Sequence, residues 1–121
     1  MLNVDTHVLI DAMRGELPAR EARLLRSETW SISAIVLWEL AKLVQLGRIE
    51  LDLDDPEVDR FLAQIHVWPI SPDVVRALTR LDFRSDPADE LIAATSLVHR
   101  VPLLTRDRKL LKSKTVPLSR L

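Results

Sequence analysis

The chain reads as an α/β domain of three layers, α/β/α, around a short and mostly parallel central sheet. Three observations predict it. Short apolar runs alternate with stretches of helical period along the chain. Cap signals bracket those stretches, with Ser33, Ser71-Pro72 and Asp86-Pro87 before them and Gly15 and Gly47 after. Strands that alternate with helices pair in parallel through right-handed crossovers, which lays helices over the sheet.

The elements follow in order. Residues 2–5 form a buried strand, and residues 6–13 form a helix ended near Gly15. Residues 18–27 are helical, with Ala19, Ala22, Leu24 and Leu25 inward and arginines outward. Residues 29–33 alternate, Trp30 and Ile32 on one side, as a strand does. Ser33 caps a helix over 34–46, and Gly47 closes it. Residues 48–56 are acidic and irregular; Asp55 or Pro56 opens a helix through Phe61, Leu62 and Ile65. Residues 67–70 are a strand that Pro69 keeps brief or at an edge. Helices follow over 73–81 and 88–99, then a strand over 102–105, a helical turn over 109–112 and a last strand over 115–118.

A chain of 121 residues with 47% apolar and 29% charged residues suits one globular domain, 1–121, with a real core. It has no cysteine, which excludes disulfides, thiolate zinc sites and cysteine nucleophiles. The start has no basic region, Asp5 and Asp11 interrupt its apolar stretch, and no run is long enough to span a bilayer. The expectation is a cytoplasmic protein that meets no membrane. Net charge is −1, so the chain as a whole does not announce nucleic acid. Its distribution is more pointed. Arg106, Arg108, Lys109 and Lys112 crowd the C-terminal end against Asp107, as solvated surface or as phosphate contacts.

Four acids carry the functional reading. Asp5 ends the first apolar run, Glu39 interrupts an apolar helix, Asp89 lies in the first turn of a late helix, and Asp107 follows the last buried strand. Carboxylates near a core cost free energy, and a hard divalent cation compensates them. Each also has a plainer role open to it. Asp5 and Asp107 suit caps or turns, Glu39 suits a pair with Lys42, and Asp89 suits a capping position after Asp86. Together they fall at strand ends and helix starts, where an α/β sheet gathers its sites.

Four segments resemble the PIN-domain ribonucleases, in particular VapC-like toxins of bacterial toxin–antitoxin pairs. They are Asn3-Val4-Asp5-Thr6-His7, Ser31-Ile32-Ser33 through Trp38-Glu39, Asp86-Pro87-Ala88-Asp89-Glu90, and Leu103-Leu104-Thr105-Arg106-Asp107. The resemblance matches Asp5, Glu39, Asp89 and Asp107 to an acidic quartet, and Thr6 and Thr105 to neighbouring hydroxyls. Asp86 remains a secondary candidate. It implies a PIN-like fold, RNA as substrate, a cognate antitoxin and a homodimer. The chain departs where many relatives read Asp-Pro-Phe-Asp-Arg: Ala88 replaces an aromatic residue and Glu90 a base.

Oxygen-only ligands select Mg²⁺ or Mn²⁺. The expected activity is metal-assisted hydrolysis of RNA phosphodiesters, with Asp5, Asp89 and Asp107 as ligands and Glu39 as ligand or orienter of water. Thr6 and Thr105 would fix carboxylate orientation. Histidine has no required part. Trp30, Trp38 and Trp68 read as core or dimer-interface residues, because aromatics make up only 4% of the chain. Two other readings stay open: a non-catalytic interaction module, favoured by Glu90, and a receiver-type domain accepting phosphate on Asp54 or Asp55.

Overall fold

The computed structural model describes residues 1–120. Four strands build the sheet: β1 (Leu2–Val4), β2 (Trp30–Ser33), β3 (His66–Trp68) and β4 (Leu103–Leu104). Their order is β3-β2-β1-β4, and every neighbouring pair is parallel. Leu2 pairs with Trp30, Asn3 with Leu103, and Ile32 with Val67. Helices α1 (Thr6–Arg14), α2 (Ala19–Arg26), α3 (Ala34–Gln45), α4 (Pro56–Ala63), α5 (Pro72–Ala77), α6 (Pro87–His99) and α7 (Arg108–Leu111) flank it. The result is the α/β/α architecture the alternation predicts. The core is aliphatic, with Val4, Leu9, Ile32, Leu40, Ile92, Leu103 and Leu104 at its centre.

The strand order positions the site. The chain steps outward from β1 to β2 to β3, then returns to lay β4 on the other side of β1. Winding reverses between β1 and β4, and in open α/β sheets the crevice at such a reversal is where ligands sit. Asp5 and Asp107 follow those two strands.

Most elements lie within a residue or two of expectation, and the differences have local causes. β1 stops at Val4 because Asp5 turns to cap α1, its carboxylate accepting from Thr6 N. β3 starts one residue early and ends before Pro69, which cannot donate to the ladder. The helix expected over 73–81 tightens after Ala77 into a 3₁₀ turn, Leu78–Arg80. The last strand is reduced to one bridge, Leu118 beside Leu103. Upstream of it, Asp82 draws in the chain through Ser113 Oγ (2.6 Å), Lys114 N (2.7 Å) and Thr115 Oγ1 (2.9 Å), so residues 113–115 serve a side chain instead of a ladder. Residues 48–53 form no strand, and Asp55 caps α4. A receiver-type phosphoacceptor needs an aspartate at a strand end; Asp54 and Asp55 sit in a loop, which sets that reading aside.

Candidate acidic site at the carboxyl edge of the sheet

Asp5, Asp89 and Asp107 stand at helix starts, Glu39 lies within α3, and each is oriented by a donor of its own. Asp5 is buried. Its Oδ1 accepts from Thr6 N at 2.8 Å, and its Oδ2 accepts from the Thr105 hydroxyl, across the β1–β4 reversal. Thr105 also accepts from Asp107 N at 3.0 Å, so one hydroxyl ties the residue after β1 to the loop after β4. Asp107 caps α7, its Oδ1 taking the N–H groups of Lys109 (2.8 Å) and Leu110 (3.3 Å).

Glu39 lies in the second turn of α3, and its Oε1 accepts from the Thr6 hydroxyl. The alternative pairing with Lys42 does not occur: Lys42 Nζ donates to Gln45 Oε1 at 3.2 Å and sits 5.8 Å from the centre of the Trp38 ring. Asp89 is the third residue of α6. Its N–H donates to the capping Asp86, and its Oδ2 accepts from Ser85 Oγ at 2.9 Å. Glu90 turns to the same serine and accepts from Ser85 N at 3.0 Å. The acid that departs from the family pattern therefore braces the loop that holds Asp89. Ser85 was not foreseen from the sequence; its place four residues before Asp89, ahead of an Asp-Pro start, was the available signal.

Asn3 fixes the distance between the two halves of the site. It is fully buried in β1, and its Nδ2 donates to Ile92 O (3.3 Å) and Ser96 Oγ (2.9 Å) of α6. That bond docks the helix bearing Asp89 against the strand leading to Asp5.

The electrostatics report convergence. Burial pushes the Asp5 carboxyl above the usual range, with Asp107 adding to the shift. Burial also raises Glu39, and Asp5 and Asp86 raise it further. Asp89 is pushed up to about 6, chiefly by burial and then by Asp86, Asp5 and Asp107. These carboxylates sense one another in a half-desolvated cleft. Helix N-termini, positive ends of backbone dipoles, offset part of that repulsion.

Among the described residues, no three acidic or histidine side chains already close into a metal cage. A magnesium-type ion does not require one, since it takes one or two carboxylates and completes its shell with water and substrate phosphate. The side chains fit that open mode. All donors are oxygens, and among the described residues Glu39, Asp89 and Asp107 each keep one carboxylate oxygen without a hydrogen-bond partner.

The basic residues divide into two sets. Arg106, expected at phosphate, is turned back onto the protein surface: it forks onto the buried Glu21 (2.6 and 2.9 Å) and reaches Asp11 at 2.6 Å. Glu21, above all, keeps the guanidinium protonated well above its ordinary range. Glu21 stands among arginines in the sequence, and only the fold reveals its burial. Arg108, Lys109 and Lys112 are exposed at α7, next to Asp107.

The chain is 32% identical over 114 residues to ribonuclease VapC22 of Mycobacterium tuberculosis, covering 88% of this chain and 87% of that one. Its fold is shared with a toxin–antitoxin complex from Klebsiella pneumoniae, at TM-score 0.70 and 24% identity over 93% of this chain and 91% of the other. It is shared too with VapBC2 from Rickettsia felis bound to a promoter DNA fragment, at TM-score 0.75 and 19% identity over 100% and 99%. The PIN domain family profile matches residues 3–114. With the reversal between β1 and β4 and the acids gathered there, the chain belongs to the PIN domain family.

Proposed function

We propose that the chain is a Mg²⁺- or Mn²⁺-dependent endoribonuclease, the toxin of a toxin–antitoxin pair, working as one domain in the cytoplasm. The observation that carries the reading is the convergence of Asp5, Glu39, Asp89 and Asp107 beside the sheet's reversal, each oriented by its own donor. The name of the Mycobacterium tuberculosis relative supports ribonuclease activity, and the complexes of the structural relatives support an antitoxin partner.

Bound Mg²⁺ or Mn²⁺ supplies charge neutralisation on the phosphoryl oxygens and activation of water toward hydroxide. Asp5 and Asp107 would hold the ion, with Asp89 as a further ligand, directly or through water. Glu39, whose second carboxylate oxygen has no hydrogen-bond partner among the described residues, would orient the attacking water and accept its proton. Thr6, Thr105 and Ser85 lock three of the carboxylates in place, which removes the reorganisation that loose acids would need. Arg108, Lys109 and Lys112 meet the RNA backbone as point charges. An antitoxin that presents an arginine to the cluster would compete with the metal. A second copy of the chain completes the expected assembly as a homodimer.

The test is cleavage of RNA by the purified protein with Mg²⁺ or Mn²⁺, with chelator, and as Asp5→Asn. Cutting that requires the metal and disappears in Asp5→Asn is expected. Undiminished cutting by the variant would remove the acidic site from the reaction.

A further inference from the structure

A cavity of about 540 Å³ opens between α3, the loop after β3 and the first turn of α6. Its apolar walls include Ile35, Trp38, Ile70 and Ala88, and Glu39 and Asp86 also line it. Those two acids border the acidic site as well, so the cavity and the site share a wall. The volume is in the range of small-molecule sites.

Trp38 does not belong to the core. It is 55% exposed, and Ile70 across the cavity is 44% exposed. Helical spacing places Ala34, Ile35, Trp38 and Glu39 on one face of α3, since residues three and four apart are neighbours. Lys42, one turn further on, holds its ammonium 5.8 Å from the Trp38 ring centre. One opening thus combines a flat aromatic surface, which has the Lys42 ammonium over its ring, with carboxylate acceptors that it shares with the acidic site. The complementary object is flat, apolar on its faces, able to donate hydrogen bonds at its edge, and tethered to an anion. A nucleobase with an exocyclic amine, on a phosphate chain, has all four properties. An apolar peptide would fill the walls but leave the second oxygens of the two carboxylates unanswered.

We propose that this cavity is a subsite for one unpaired RNA base beside the phosphate held at the acidic site. Trp38 is the stacking platform, Asp86 accepts from the amino edge of the base, and Lys42 pairs with a neighbouring phosphate. This rests on the ribonuclease reading above and adds a source of sequence preference to it. Stacking alone tolerates every base. A carboxylate acceptor favours bases that carry an amino group, with cytosine preferred to uracil as the sharpest pair. The small side chain of Ala88 leaves room for the base that a ring there would take.

The experiment uses short single-stranded RNAs of equal phosphate number, with one abasic sugar walked along the strand. Binding to the full chain is measured in chelator, and cleavage is measured with Mn²⁺. The wild type is expected to lose about tenfold in affinity at one abasic position. Trp38→Ala is expected to bind intact and abasic strands alike, and Trp38→Phe to recover part of the difference. Asp86→Asn, which still caps α6, is expected to level cytosine against uracil at that position. Ala88→Phe fills the cavity without touching the platform and should match Trp38→Ala, so a folding failure in one variant does not decide the matter. A base-dependent penalty that survives in both Trp38→Ala and Ala88→Phe overturns the subsite. So does a change confined to oligomeric state or protein partner binding, which would make the cavity a protein interface. RNA that is cut without base-dependent affinity defeats the subsite and leaves the nuclease standing. RNA neither bound nor cut defeats both.

Discussion

The Thr105 hydroxyl donates to the Asp5 carboxylate, a buried bond between residues 100 apart in sequence. The same oxygen accepts from Asp107 N, so a single atom couples the two strand ends that frame the site. Thr105→Val keeps shape and burial but removes that atom. It is expected to cost about 10- to 100-fold in activity or metal affinity, the usual effect of losing a partner that orients a ligand. Thr105→Ser should restore most of it. Cleavage rates against Mn²⁺ concentration for the three proteins measure this.

Asp5→Asn keeps the cap on α1 but removes the charge. Loss of several kcal/mol of charge stabilisation corresponds to at least about a hundredfold in rate. The fold should be retained, because the burial of Asp5 is more easily borne by the neutral amide. Circular dichroism and cleavage assays, read together, check both halves.

Ser85→Ala removes the hydroxyl that holds Asp89 while leaving the Glu90 contact to the backbone. Activity should fall about 10-fold or more and return in Ser85→Thr. Glu90→Gln still accepts from Ser85 N and should retain near-wild-type cutting, which separates the brace from the chemistry.

Stability without divalent metal should depend on pH in two opposite limbs. Asp89, at about 6 in the folded chain against an ordinary 3.8, binds more protons folded than unfolded between those values. Stability therefore falls as pH rises through that window, and Asp5 and Glu39, raised in the same direction, add to the fall. Asp82 runs the other way. The Ser113 hydroxyl above all, with Lys114 N, holds it at about 2, so its contribution is present above 3.8 and lost as pH drops toward 2. The melting temperature in chelator is expected to peak in the acidic range. Added Mn²⁺ should lift the neutral limb selectively, because cations and protons compete for the same carboxylates. A flat profile from pH 4 to 7 would contradict the electrostatic coupling of the site.

Arg106 and Lys109 should fail in different assays. Arg106→Ala strands the buried Glu21 and should destabilise by about 2 to 3 kcal/mol, below the range for a fully buried pair because Arg106 is partly exposed. Lys109→Ala should leave the melting temperature nearly unchanged and reduce the salt dependence of RNA binding by about 0.7 in log–log slope. Equal behaviour in both assays would erase the distinction.

Much of this molecule was legible before folding. Alternating short apolar runs and helical periods gave the architecture, because period and cap chemistry are local. Ser33, Asp55, Ser71 and Asp86 cap helices with their own side chains, as such residues do near a helix start. Asp5 and Asp107 were legible together because strand ends in a parallel sheet share one edge. The last strand misled, since residues 113–115 satisfy Asp82, a partner more than thirty positions away. Trp38, read as a core or dimer-interface residue, is not core, and no local rule says that its face of α3 meets an open cavity.

The sequence by itself determined where helices begin, which runs are buried and which acids stand at strand ends. The tertiary structure decided which partner each charge takes. It assigned Glu39 to Thr6 instead of Lys42, Arg106 to Glu21 instead of solvent, and Glu90 to Ser85 N. Period and capping act over a few residues and are written in the chain. Hydrogen bonds and desolvation act over a few ångströms, and in a sheet ordered β3-β2-β1-β4 the nearest atoms come from residues up to a hundred positions away.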